Sequence, residues 1–165
     1  MKKLIAFLLI LMLPVLALAE APAPVASPDE IRLGMSYAQV APVLVGEPVM
    51  DLTEDNVRFV VYPGYRLCDA ECMLAAVFMD DALVMLAAAQ AKAEYAAVQE
   101  LLAGRYGEAR PMEVADLVAA MSAMAGESMD VTATDILRWD AEDGTQVWMM
   151  MTPAGDVLVM NLSAR

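Results

Sequence analysis

No histidine occurs anywhere in this chain of 165 residues. That removes the commonest general base, every Ser-His or Cys-His nucleophile pair and every imidazole metal site. Basic residues are scarce as well, 10 against 23 acidic ones, for a net charge of −13. Such a balance argues against a nucleic-acid partner, because phosphate binding needs a basic face. Aromatics make up 6% and cysteines number two. No P-loop, GxGxxG, GxSxG or EF-hand pattern is present. What the chain has is apolar surface: 60% of its residues are hydrophobic. The length suits one domain, or two very small ones.

Residues 1–19 read as a secretory signal peptide. Lys2 and Lys3 supply the positive start, Leu4 to Leu13 is an unbroken apolar run, Pro14 breaks it, and Ala17-Leu18-Ala19 offers the small residues a signal peptidase needs. The run is short for a bilayer core, which takes about 20 apolar residues. Residue 20 is Glu, so the lipid-bearing cysteine of a lipoprotein is absent. The expected product is a soluble periplasmic or secreted chain, cleaved near Ala19 and without a stable membrane anchor. Residues 20–29 form a Pro/Ala-rich tether, expected to be extended.

Cys68 and Cys72 both lie in the exported part. In an oxidising compartment an even count favours a disulfide. The C-D-A-E-C spacing closes a very short loop, so the entropic gain stays below the ~3 kcal/mol of a 15-residue loop. A thioredoxin-like redox site would want C-x-x-C. Unpaired thiols and a two-thiolate metal site with Asp69 and Glu71 nearby are the alternatives.

The pattern over residues 30–165 predicts an α+β domain: tandem αβ units, with two or three helices packed on an antiparallel sheet of six or seven strands. Ser36 caps a helix over Tyr37 to Val45, with Val40, Val43 and Leu44 on one face. A second helix runs from Lys92 to Tyr106, burying Tyr95, Val98, Leu101, Leu102 and Tyr106. A third runs from Pro111 to Gly126. Strands are predicted at Val57 to Tyr62, where Pro63-Gly64 stops the strand, at Met73 to Met79, and at Leu83 to Ala89. Three more close the chain: Thr134 to Asp140, Gln146 to Thr152 and Asp156 to Leu162. Both faces of several strands are apolar, so both must be covered.

Tyr37, Ala38, Val40, Leu44 and Gly46 recur as Tyr95, Ala96, Val98, Leu102 and Gly104 at a constant offset of 58. The spacing suggests two repeats, 30–90 and 91–165, sharing one sheet.

The run Leu33-Gly34-Met35-Ser36-Tyr37-Ala38-Gln39-Val40, followed by Leu44-Val45-Gly46-Glu47-Pro48, resembles the opening of the SmpA/OmlA small outer-membrane protein family. That family reads G-M-[ST]-x-x-x-V, a gap, then L-x-G-x-P. The resemblance covers about 16 residues. It implies a helix, or helical hairpin, against a small antiparallel sheet, as in β-lactamase-inhibitor-like proteins. It also implies a cell-envelope role beside the barrel-assembly machinery, although family members are usually lipoproteins and this chain has no anchoring cysteine.

Fifteen methionines are present. Met121, Met124 and Met129, and the run Met149-Met150-Met151, carry thioethers, which are soft ligands for Cu(I) but more often fill cores or adapt to a partner surface. Core packing is the competing role, and a strand points Met150 away from Met149 and Met151. Carboxylate pairs Asp80-Asp81, Glu54-Asp55 and Glu142-Asp143 fall at turns, where a raised-pKa acid is not expected. The residues placed as partner-binding candidates are Tyr62, Tyr65, Met121, Met124, Trp139 and Trp148. The expected function is a non-catalytic protein-binding module, an envelope adaptor or inhibitor-like protein, with no cofactor. It would use one sheet face or the Met-rich segment 112–129. The alternative is a periplasmic Cu(I)-handling protein.

Overall fold

A period of two in apolar residues, broken by tight polar turns, builds most of this molecule. The computed structural model describes residues 30–44, 46–68, 70–125 and 131–163. The expected signal peptide and tether, and the residues Asp69 and Met129, lie outside them.

The element order is α1 (Tyr37–Val40), β1 (Met50–Glu54), β2 (Val57–Leu67), β3 (Ala70–Met79), β4 (Ala82–Ala91), α2 (Tyr95–Tyr106), β5 (Arg110–Pro111), α3 (Val114–Ala125), β6 (Thr134–Asp140), β7 (Thr145–Met151) and β8 (Val157–Ser163). All eight strands form one open antiparallel sheet in the order β1-β2-β3-β4-β8-β7-β6-β5. The fold is therefore α+β, with helices packed on an antiparallel sheet. The two halves meet where their last strands pair, with Ala87 opposite Met160 and Ala88 opposite Val159.

The turns explain the register. Asp80 and Asp81 both take positive φ, 51° and 62°, the paired left-handed conformation that suits a two-residue hairpin; Asp and Asn tolerate it best after glycine. Asp55 does the same between β1 and β2, with φ 53°. Both sheet edges are blunted. The outer strand β1 carries Asp51 and Glu54, and β5 is two residues long and ends on Pro111.

Several sequence expectations need correction. The sheet has eight strands instead of six or seven, because β1 and β5 are too short and too polar to show in hydropathy. Strand β2 does not stop at Pro63-Gly64. The ladder shifts register between Tyr62 and Tyr65 and continues to Leu67, so the Pro-Gly pair makes a bulge. Helix α1 ends at Val40, short of Val45. Pro42 has no N–H to donate back to the Ala38 carbonyl, and Val43 bonds Val40 in a tighter turn instead. Helix α3 starts at Val114, because Arg110–Pro111 pair with β6 and the Met112 N–H bonds the Ile136 carbonyl. Its first turn is closed by Asp116, whose carboxylate accepts the Glu113 N–H at 3.0 Å.

The strands are apolar on both faces, and two cores result. One holds Val40, Leu44, Val98, Leu102, Leu74, Phe78 and Trp139. The other holds Phe59, Val77, Met85, Trp148 and Met160, with Leu117 and Met121 from α3. The repeated residues Val40, Leu44, Val98 and Leu102 are all buried in the first core. The fifth repeated position diverges: Gly46 takes φ 108° after α1, whereas Gly104 lies inside α2, which ends at Gly107. Val43, Tyr95 and Tyr106 are half-buried against the first core, but Leu101, placed in the buried stripe from its spacing, is 52% exposed.

Candidate functional site

A cavity of about 240 Å³ opens at the junction of the two halves, on the face that carries α1 and α2. Its floor is sheet: Leu67, Leu74, Leu86, Ala88 and Val159, joined by Leu102 from α2. Three other segments form its walls. Ile31–Leu33 is held down by backbone bonds one step further on, where the Gly34 N–H donates to the Leu83 carbonyl and the Leu83 N–H to the Met35 carbonyl, each at 2.8 Å. The last turns of α2 bring Leu101, Arg105 and Tyr106. The β6–β7 turn brings Ala141, Asp143 and Thr145, and is closed by the Ala141 N–H on the Thr145 carbonyl at 2.8 Å.

The lining also carries polar residues: Arg32, Arg105, Asp143 and Thr145, and Asn161 from β8. Arg32 and Arg105 are exposed guanidinium residues there, and Arg105 lies with its guanidinium 5.3 Å from the Tyr106 ring centre. Asp143 accepts the Thr145 N–H at 2.9 Å. This bond, with a side-chain bond from Thr145 and the nearby charge of Arg32, holds its carboxyl below the usual carboxylate range. Four of the other basic residues, Arg58, Lys92, Arg110 and Arg138, are engaged with aspartates elsewhere. The lining thus holds two guanidinium groups, Arg32 and Arg105, and one carboxylate, Asp143. Chemically, the arrangement can enclose an apolar group and meet a negative one at its edge.

A second polar cluster pins α1 to the sheet. Arg58 bonds both oxygens of Asp51, at 2.9 and 2.6 Å, and its guanidinium stacks 3.3 Å above the Tyr37 ring. The Tyr37 ring meets Phe78 edge-on, with centroids 5.6 Å apart. Tyr62 bonds Tyr37, and burial raises its phenol above the ordinary value. These contacts account for Tyr62 as packing.

The partner-binding candidates need the same correction. Tyr62, Tyr65, Met121, Trp139 and Trp148 are all buried, the last at 0% exposure. Their rings and thioethers fill the two cores, where large apolar volume gains most from leaving water. Trp139 donates its indole N–H to the Gly107 carbonyl at 3.0 Å, and Trp148 to Gln146 at 3.2 Å. Tyr65 alone of the five also lines the cavity. The side chain of Met124 lies outside the described residues. Met149 and Met150 enter opposite cores, as strand alternation requires. Among the described residues, no group of three or more Cys, Asp or Glu is placed to hold a metal ion.

The structure contains no disulfide between Cys68 and Cys72. The β2–β3 hairpin closes at Leu67 opposite Ala70, which puts Cys68 in the turn with φ 53°, whereas Cys72 sits in the ladder opposite Tyr65. Cys68 is exposed and Cys72 buried. Burial pushes the Cys72 thiol up from an ordinary 9.0 to about 12.

The residues that sequence reasoning missed are Arg32, Leu101, Arg105 and Asp143. Two signals pointed toward them. Leu101 and Leu102 are neighbours on a helix, about 100° apart, so a narrow buried stripe leaves one at its margin. Basic residues are also rare enough here that two flanking apolar segments stand out.

No helix of the described residues is long and apolar enough to cross a membrane. Comparison with family models, with curated proteins and with solved structures found no match.

Proposed function

We propose that the protein is a soluble periplasmic, non-catalytic protein-binding module, an envelope adaptor or inhibitor-like protein. One observation carries this reading: the cavity at the junction of the halves, with the half-exposed Leu101 on its lip. A single exposed leucine is ordinary. One set beside an apolar cavity makes a continuous surface on which a partner's side chain can be anchored and its neighbours covered. The signal-peptide pattern of residues 1–19 and the resemblance of Leu33 to Pro48 to the SmpA/OmlA opening support an envelope setting. The missing lipid-bearing cysteine favours an unanchored adaptor over a membrane-tethered assembly factor.

The test is site-specific photocrosslinking in cells that export the protein. A photoreactive phenylalanine analogue at Leu101 should give a discrete protein adduct, and the same analogue at the exposed Ala96 of α2 should not. Identical adduct patterns from both positions, or none from Leu101, would remove the reading.

A further inference from the structure

We infer that the outer strand β1 pairs with the β1 of a second copy of this chain, antiparallel about a two-fold axis through Leu52, so that two sheets join into one. This goes beyond the reading above and does not involve the cavity.

Strand β1 ends the sheet order and pairs only with β2. Asp51, Leu52 and Thr53 are all exposed, so nothing among the described residues covers its outer side. The other edge offers no such surface, because β5 is two residues long and Pro111 lacks a donor. The turn fixes which groups of β1 point outward. Glu54 opposite Val57 closes a two-residue turn, so these two exchange both main-chain bonds. Bonded and non-bonded pairs alternate along an antiparallel ladder. Leu52 and Met50 therefore also bond β2, while Asp51 and Thr53 turn their N–H and C=O groups away from it. The bond from the Val49 N–H to the Val61 carbonyl, at 2.8 Å, fits this phase: Val49 and Met50 share one partner, as in a bulge.

Two outward residues separated by one accept a copy of their own strand in few ways. Antiparallel pairing that keeps both of them bonded centres on Asp51, on Leu52 or on Thr53. Centred on Asp51, that carboxylate faces its own copy. Centred on Thr53, Asp51 faces Asp55. Parallel pairing in register sets every acid beside itself. Like charges directly opposite are destabilising. The axis through Leu52 avoids all of this: Asp51 faces Thr53, Glu54 faces Met50, and Leu52 faces itself. The acids that guard this edge against other strands leave one self-pairing open.

Leu52 supplies the apolar contact. Val49 and Leu52, 55% and 41% exposed, are two of the four large apolar residues left exposed among the described residues, and both belong to this edge. Met50 shares the face of Leu52 and packs against the second core. The axis brings the two Leu52 side chains together in a non-bonded pair, where side chains lie closest, and every other contact is made twice. A few residues a side bury far less than the ~1,200–2,000 Å² of a stable interface, and a net charge of −13 opposes the approach. The dimer is therefore weak and reversible.

The experiment is sedimentation velocity on the full exported chain, from micromolar to millimolar concentration at physiological salt. The average mass should rise reversibly toward the dimer and stop there, because pairing uses up the edge. Thr53→Pro removes an outward donor and leaves the bonds between β1 and β2 in place. Leu52→Asp sets two carboxylates across the axis. Each should weaken dimerisation at least about tenfold, and an unchanged thermal midpoint of the monomer would show that the variant folds. In a Cys68→Ser background, Leu52→Cys should form a disulfide-linked dimer under mild oxidation, because the Cβ atoms of such a pair lie ~5 Å apart. Thr53→Cys, which faces Asp51, should not. A monomer at every concentration, growth past the dimer, a dimer that either folded variant leaves intact, or equal crosslinking from the two positions would overturn the inference.

Discussion

The indole N–H of Trp139, near the end of strand β6, donates at 3.0 Å to the carbonyl of Gly107, which caps helix α2. Gly107 has φ 83°, a conformation glycine adopts without the steric cost a side chain would bring. One hydrogen bond therefore ties the end of α2, and the cavity lip just before it, to strand β6.

Replacing Trp139 with Phe keeps an aromatic ring but removes this donor and some packed volume. A net hydrogen bond contributes about 1 kcal/mol, and lost packing adds to it. The expected destabilisation is ~1–3 kcal/mol, read as a lower urea midpoint with an unchanged m-value. A midpoint equal to that of the original protein would show that the bond is not formed in solution.

Leu101 and Leu102 are adjacent and should behave as opposites. Leu102 is 7% exposed and Leu101 52%. Leu102→Ala opens a hole beneath α2 and should cost ~2–5 kcal/mol. Leu101→Ser should change stability by no more than about 0.5 kcal/mol. Equal losses of stability from the two substitutions would mean that α2 is rotated from the orientation described here.

The cysteines offer a chemical check on the hairpin. With Cys68 exposed and Cys72 buried, a thiol reagent at pH 8 should titrate one equivalent quickly, and the second only after denaturation. Thiolate is the reactive form, and the raised Cys72 thiol slows its reaction further. Two fast equivalents would contradict the burial of Cys72, and none even after denaturation would show that a disulfide forms.

Alkaline stability follows from the same burial. The Cys72 thiol ordinarily ionises near 9.0 but is held at about 12 in the folded chain. The unfolded chain therefore releases its proton first. Below pH 9 the contribution is complete. Above it stability falls, by up to ~1.36 kcal/mol per pH unit, until the folded thiol also ionises near pH 12. Tyr62 and Tyr95, both raised from 10.0 by burial, act in the same sense above pH 10. Between pH 9 and 10 the loss should be shallower in Cys72→Ala than in the original protein. Parallel urea-midpoint profiles in the two would assign the alkaline loss elsewhere.

Much of the architecture can be read in one dimension because it is local. Alternating hydropathy places β6 at Thr134 to Asp140, and paired aspartates mark the β3–β4 turn, since each depends on a few consecutive residues. The spacing of Val98 and Leu102 shows which side of α2 is inward. The strand beginning at Met50 and the two-residue β5 escape such a reading, because their pairing is supplied by neighbours and not by their own hydropathy.

The candidate site is of the other kind. Sequence alone determined an acidic chain without histidine, an α+β fold, apolar strands on both faces and an export-like N-terminus. Tertiary structure decided that Trp139 and Trp148 are core and that no disulfide joins the two cysteines. It also decided that Arg32 and Arg105, 73 positions apart, share one opening. The physical reason is distance along the chain. Burial of a ring and convergence of two charges depend on which strands become neighbours, and the pairing of β4 with β8 is made between segments that lie far apart in sequence.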